Sequence, residues 1–114
     1  MNNPVWTTGI GKALQFDGIN DYAWTSTSPS ITSGSMSISA WVYATGSGWR
    51  GIVGKGESAL EQDHSYMLEL DTNGKAVFAI GNGNTYYGIT TTTGIGTGWH
   101  HIAAVFGSIG RSIS

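Results

Sequence analysis

Apolar and polar residues alternate along this chain in short runs, with a period of two rather than the 3.6 of a helix. In Met36–Ala44 one face carries Met36, Ile38, Ala40 and Val42, and the other Ser37, Ser39, Trp41 and Tyr43. Tyr66, Leu68 and Leu70 alternate with Met67, Glu69 and Asp71 in the same way. Both faces carry some apolar residues, as in a sheet packed on one side and partly covered or used on the other. Glycine, serine and threonine interrupt almost every window long enough for a helix, and only Ser58–Asp63 has a brief helix-compatible composition. The pattern predicts strands near Ala13–Asp17, Tyr22–Ser26, Met36–Ala44, Gly51–Lys55, Tyr66–Asp71, Ala76–Ile80, Tyr86–Thr92 and Trp99–Phe106, with a ninth near Val5–Thr7.

Turn chemistry supports a central meander. Asn73-Gly74 lies between two alternating runs, which predicts a tight hairpin of type I′. Gly81-Asn82-Gly83-Asn84 predicts a slightly longer turn before the next strand. Strands of this length and spacing predict an all-β, antiparallel sandwich or barrel rather than a βαβ fold. At 114 residues, without a linker or repeat, the chain reads as one domain spanning 1–114.

Composition narrows the partners. Five basic and seven acidic residues give a formal charge of −2, with no basic cluster of the kind that binds nucleic acid. Eighteen glycines, five tryptophans and five tyrosines suit short strands and tight turns. With no cysteine, neither a disulfide framework nor a thiolate metal site forms. No apolar run approaches the ~18 residues that span a bilayer, so membrane insertion is not expected. Met1-Asn2-Asn3-Pro4 does not open a basic-then-apolar leader.

Three motifs follow in order: Phe16-Asp17-Gly18-Ile19-Asn20-Asp21-Tyr22, Ser37-Ile38-Ser39-Ala40-Trp41-Val42, and Gly98-Trp99-His100-His101-Ile102-Ala103-Ala104-Val105. With Ile52-Val53-Gly54-Lys55-Gly56 between them, this ordered set resembles the laminin-G-like (LamG-like) jelly roll, within the concanavalin A-like lectin/glucanase superfamily. The resemblance covers about residues 12–106. It implies a concanavalin A-like sandwich, a buried Trp41 on a central strand, and an extracellular or cell-surface setting. Relatives end in a hairpin with a Tyr-Val-Asp-Gly-type turn, whereas this chain reads Gly107-Ser108-Ile109-Gly110-Arg111-Ser112-Ile113-Ser114. The closing C-terminal strands are therefore expected to be missing. A homo-oligomer, strand-swapped in one form, would complete the sheets.

Asp17, Asn20 and Asp21 form the best oxygen-ligand cluster, and the resemblance implies calcium there. The same residue types are ordinary turn formers, which is the stronger reading of the two. His100 and His101 are adjacent on one strand and point to opposite faces, and His64 is isolated, so a histidine zinc site is not expected. Glu69 and Asp71 alternate as glucanase carboxylates do, but no further downstream glutamate follows, and both are expected to be solvated. Gly9-Ile10-Gly11 lacks the strand–helix context of a phosphate-binding loop. Trp24, Trp49, Tyr86 and Tyr87 are the candidate ligand-binding residues, placed at turns and strand ends where rings can stack on sugars. Any one of them alone is more ordinarily a packing residue, and Trp41 and Trp99 are expected in the core. The expected function is a non-catalytic recognition module for carbohydrate or glycoprotein, assisted by calcium. The alternatives are an adhesion or assembly protein acting as a homo-oligomer and, more weakly, a glycan-active enzyme remnant.

Overall fold

The computed structural model describes residues 3–9, 11–26, 35–56, 65–81, 84–107 and 110–114. Ser58–Asp63, His64 and the Asn82-Gly83 part of the second turn lie outside the described residues. Nine strands are described: β1 (Val5–Gly9), β2 (Gly11–Gln15), β3 (Met36–Tyr43), β4 (Arg50–Lys55), β5 (Tyr66–Leu70), β6 (Ala76–Gly81), β7 (Tyr86–Thr90), β8 (Trp99–Gly107) and β9 (Gly110–Ile113). All pair antiparallel, as a β1–β2 hairpin, a three-stranded sheet β3-β8-β9 and a four-stranded sheet β4-β5-β6-β7. The described part of the fold is all-β, and its two larger sheets form a sandwich.

The sandwich closes where alternation makes both inner faces apolar. Tyr66, Leu68 and Leu70 of β5 and Ala76, Phe78 and Ile80 of β6 form one buried cluster with Ile102 and Ala104 of β8. Met36, Ile38 and Val42 of β3, Ile52 of β4, Phe106 of β8 and Ile113 of β9 pack around it. Phe78, Leu68 and Leu70 are the largest fully buried side chains. Each such side chain contributes roughly 1.5–3 kcal/mol by leaving water.

Several boundaries differ from expectation. Tyr22–Ser26 is not a strand, because β1 pairs with β2 instead, with Trp6 opposite Leu14 and Gly9 opposite Gly11. The Asn73-Gly74 hairpin is not type I′, since among the described residues, Asn73 included, none other than glycine has positive φ. Instead, Asp71 carbonyl accepts from Gly74 N–H at 3.0 Å, and Gly74 takes φ 72°. Asp71 Oδ1 also accepts from the backbone N–H groups of Asn73 (2.7 Å) and Lys75 (2.9 Å). A side-chain cap therefore does what a second left-handed residue would otherwise do.

The carboxyl end also forms more than expected. β9 returns along β8 with Gly107 opposite Gly110 and Ala104 opposite Ile113. Ala103 and Ser114 exchange backbone hydrogen bonds of 2.6 and 2.8 Å. One closing strand is thus present, although its residues bear little likeness to the usual hairpin.

Candidate functional site

The β3–β8 pairing assembles a ring cluster on the outer face of the three-stranded sheet. Its register sets Trp41 opposite His101 and Tyr43 opposite Trp99, while Ile38, Ala40 and Val42 face inward with Ile102 and Ala104. The Trp41 and His101 ring centroids lie 5.2 Å apart at 49°, and those of Tyr43 and Trp99 lie 5.6 Å apart in an edge-on arrangement. These spacings suit aromatic pairs with one face left open. Trp41 is 54% exposed and Tyr43 56% exposed.

The expectation of a core Trp41 is therefore corrected. Its strand mates of the same parity are Ser37, Ser39 and Tyr43, so burying it would drag two serines into the core. Trp99 is half-buried, with the end of the β1–β2 hairpin against its ring. A Cβ built on Gly9 would stand within 3.1 Å of three ring atoms of Trp99, so glycine is required for that approach.

Tyr43 also forms one wall of a cleft of about 430 Å³, lined further by Thr45, Gly46, Arg50, Asn73 and Thr97. Three connections meet there: residues 44–49 between β3 and β4, 71–75 between β5 and β6, and 91–98 between β7 and β8. Arg50 ties two of them together. Its Nε donates to Gly48 carbonyl (3.1 Å), Nη1 to Gly46 (3.0 Å) and Thr45 (3.4 Å) carbonyls, and Nη2 to Asp71 carbonyl (3.2 Å). Ile95 N–H donates to Gly74 carbonyl at 2.9 Å and locks the third connection to the second. A second depression, of about 500 Å³, lies along the hairpin at Trp6, Thr7, Thr8 and Lys12.

The four aromatic residues expected to bind ligand are spread over separate elements. Trp24 stands exposed in the loop after β2, and Trp49 stands exposed directly before Arg50. Tyr86 and Tyr87 are consecutive in β7 and project from opposite faces of its sheet. Tyr86 lies across Gly88, where its ring would crowd an added Cβ at 3.1 Å. Neither of the two clefts described is lined by any of the four. The rings that the structure does gather are Trp41, Tyr43, Trp99 and His101. Their signal was available in the alternation, which put Trp41 and Tyr43 on the serine-bearing face.

Asp17, Asn20 and Asp21 form a self-closed turn. Asp17 Oδ1 accepts from the backbone N–H groups of Ile19 (2.9 Å) and Asn20 (3.2 Å), and Asp21 Oδ2 accepts from Asp17 N–H at 3.0 Å. The Ile19 bond leads the hydrogen bonds that hold the Asp17 carboxyl below the usual carboxylate range. Calcium takes six to eight oxygen ligands. Here one oxygen of each carboxylate is already bound to the loop, and no group of three acidic, histidine or cysteine side chains among the described residues could hold a metal. The residues fit a turn closed by its own side-chain-to-backbone bonds.

Glu69 and Asp71 are not a solvated pair. Glu69 is 9% exposed, between Gly51 and Val77 in the four-stranded sheet. The Asp71 carboxylate caps its turn, and its N–H bond from Lys75 is the main cause holding its pKa low. His100 Nε2 donates to Thr97 carbonyl at 3.0 Å, and His101 stacks on Trp41, so the two histidines point apart as expected.

A laminin G family model, described as the concanavalin A-like lectin/glucanases superfamily, matches residues 17–113. The comparisons with curated proteins and with solved structures give no match.

Proposed function

From the premise that this chain belongs to the concanavalin A-like lectin/glucanase superfamily, we propose that it is a non-catalytic recognition module for carbohydrate, free or on a glycoprotein. One observation carries the reading: an outward surface of Trp41, Tyr43 and His101, with the half-buried Trp99 edge-on to Tyr43, runs into a polar cleft through a shared wall, Tyr43. Flat rings with a wet edge suit the apolar faces of pyranoses, and the cleft's hydroxyl and amide groups suit their hydroxyls. Binding rather than hydrolysis is favoured because Asp71 spends its carboxylate on its own turn while Glu69 is buried in the sheet. Loss of β-glucan hydrolysis in Glu69→Gln would restore the enzyme reading.

A glycan array run with calcium chloride and with chelator tests the proposal, followed by calorimetry on the best ligand. Trp41→Ala and Tyr43→Ala should each weaken binding about tenfold, since about 1.4 kcal/mol is one factor of ten. Absence of any glycan ligand, or unchanged affinity in both variants, would refute it.

A second reading is homo-oligomeric assembly, and the β1–β2 hairpin favours it. Val5, Trp6, Leu14 and Phe16 are exposed there, and a two-stranded hairpin is marginal by itself in water. Light scattering at micromolar concentration decides it, a monodisperse monomer counting against assembly.

A further inference from the structure

The turn between β5 and β6 carries a covalent chemistry that ligand binding does not use. Asn73 is followed by Gly74, the order in which an asparagine side chain most readily meets the next backbone nitrogen, because glycine brings no Cβ into the approach. We propose that Asn73-Gly74 is a deamidation site which Asp71 holds closed, and that its conversion unfastens the β7–β8 connection from the turn.

The reaction needs only water. The Gly74 amide nitrogen attacks Asn73 Cγ and gives up its proton to solvent. The bond from Cγ to the side-chain nitrogen breaks, and that nitrogen takes a proton from solvent and leaves as ammonia. Water then opens the resulting cyclic imide at either carbonyl. Opening at Cγ gives aspartate, and opening at the Asn73 main-chain carbonyl gives an isoaspartyl linkage. The sum is an amide and a water going to an acid and ammonia, with no change of oxidation state. Asn73 is exposed, so water and base reach it. Gly74 takes φ 72°, a conformation that only glycine adopts without strain.

The folded turn ties down both reacting groups through one residue. The Gly74 N–H donates to Asp71 carbonyl at 3.0 Å, and that bond must break before the nitrogen can attack. The Asp71 carboxylate is held ionised first by the Lys75 N–H (2.9 Å) and also by Asn73, whose backbone N–H (2.7 Å) and side-chain amide both donate to it. The nitrogen that leaves is therefore anchored on the same residue as the nitrogen that attacks. Conversion would undo what the turn supports. Gly74 carbonyl accepts from Ile95 N–H at 2.9 Å, and the Cβ position of Gly94 lies 2.7 Å from Asn73 carbonyl oxygen. An isoaspartyl linkage routes the main chain through Cβ and Cγ, which lengthens it by a methylene and turns that carbonyl into a free carboxylate. Both changes fall on the contacts that fasten residues 91–98 to the turn. Either product also sets a new negative charge beside Asp71, which repels it.

Peptide mapping of the intact chain tests this. Trypsin cuts after Lys55 and Lys75, which separates Asn73-Gly74 from the other Asn-Gly pair, Asn82-Gly83. The folded chain, the chain in guanidinium chloride, and the folded Asp71→Ala, Asp71→Asn and Asn73→Gln variants are aged at mildly alkaline pH. Conversion at position 73 is read as the amide-to-acid mass change, localised by fragmentation, and isoaspartate by its enzymatic methylation. Conversion should be fast in denaturant and at least about tenfold slower in the folded chain, with Asp71→Ala recovering about tenfold, as loss of a charged hydrogen bond implies. Asp71→Asn keeps an accepting oxygen over the turn and should stay near the folded rate, while Asn73→Gln should not convert. The converted fraction, separated by its added charge, should exchange the Ile95 N–H faster. Equal rates in the folded and denatured chain would overturn the inference. So would an Asp71→Ala variant of native circular dichroism that converts no faster than the unmutated chain, or unchanged exchange at Ile95. If the alanine variant does not fold, the folded-against-denatured comparison and Asp71→Asn carry the test, and an asparagine variant converting at the denatured rate would refute the role of Asp71.

Discussion

Replacing Trp41 discriminates between the motif's buried tryptophan and the outward one seen here. The ring is 54% exposed, so about half of a side chain that can bury roughly 150–250 Å² is out of water. At ~25 cal/mol per Å² that is about 2.5 kcal/mol, an upper bound because the denatured chain also buries surface. With the His101 contact included, Trp41→Ala should cost about 2 kcal/mol, whereas truncating a core tryptophan costs about 3–5 kcal/mol. The sharper comparison is Trp41→Ser. On a face already carrying Ser37 and Ser39, serine and alanine should be equivalent within about 0.5 kcal/mol. In the core, the serine hydroxyl would add a further ~1–3 kcal/mol for an unmade hydrogen bond. Urea unfolding followed by far-ultraviolet circular dichroism measures all three proteins. A serine variant more than about 1 kcal/mol less stable than the alanine variant would show that Trp41 faces inward, and the platform would be lost with it.

The remaining predictions are simpler to measure. Asp17 and Asp71 have depressed folded-state pKa values, so each adds stability that is present above the ordinary aspartate pKa and lost as pH falls through the lower folded one. Thermal melts should therefore show a constant contribution from them between pH 7 and 5 and a decline below about pH 4, with a shallower acid decline in Asp71→Ala. Calcium should not stabilise the chain: a ligand at a hundred times its Kd adds about 2.7 kcal/mol, so an unchanged melting temperature in calcium and in chelator is expected, and a rise of several degrees would contradict the closed turn. Gly9→Val should displace the hairpin from Trp99, seen as increased acrylamide quenching of tryptophan fluorescence with the sandwich core still folded. Unchanged quenching would mean that the hairpin does not cover that ring.

Local signals determined a good part of this protein. Alternation located the cores of β3 to β8, because each inner face needs apolar residues at every second position, as Tyr66, Leu68 and Leu70 show. The ordered motifs pointed to the superfamily, and Asp17 to Asp21 read as a turn because their side chains bond backbone within four residues. The candidate site was much less legible. In β3 both faces carry large apolar groups, so the opposing sheet decided that Ile38 and Val42 go in while Trp41 and Tyr43 stay out. The cleft joins Tyr43, Arg50, Asn73 and Thr97, and their adjacency depends on how two sheets stack, which no local window encodes. The register of β8 likewise brought His101 under Trp41 and gave Ala103 its partner in Ser114. Hydrophobic alternation and turn chemistry act over a few residues and are written locally. Which rings remain in solvent, and which loops meet, follows from burying one continuous core, and that is settled only when the whole chain has packed.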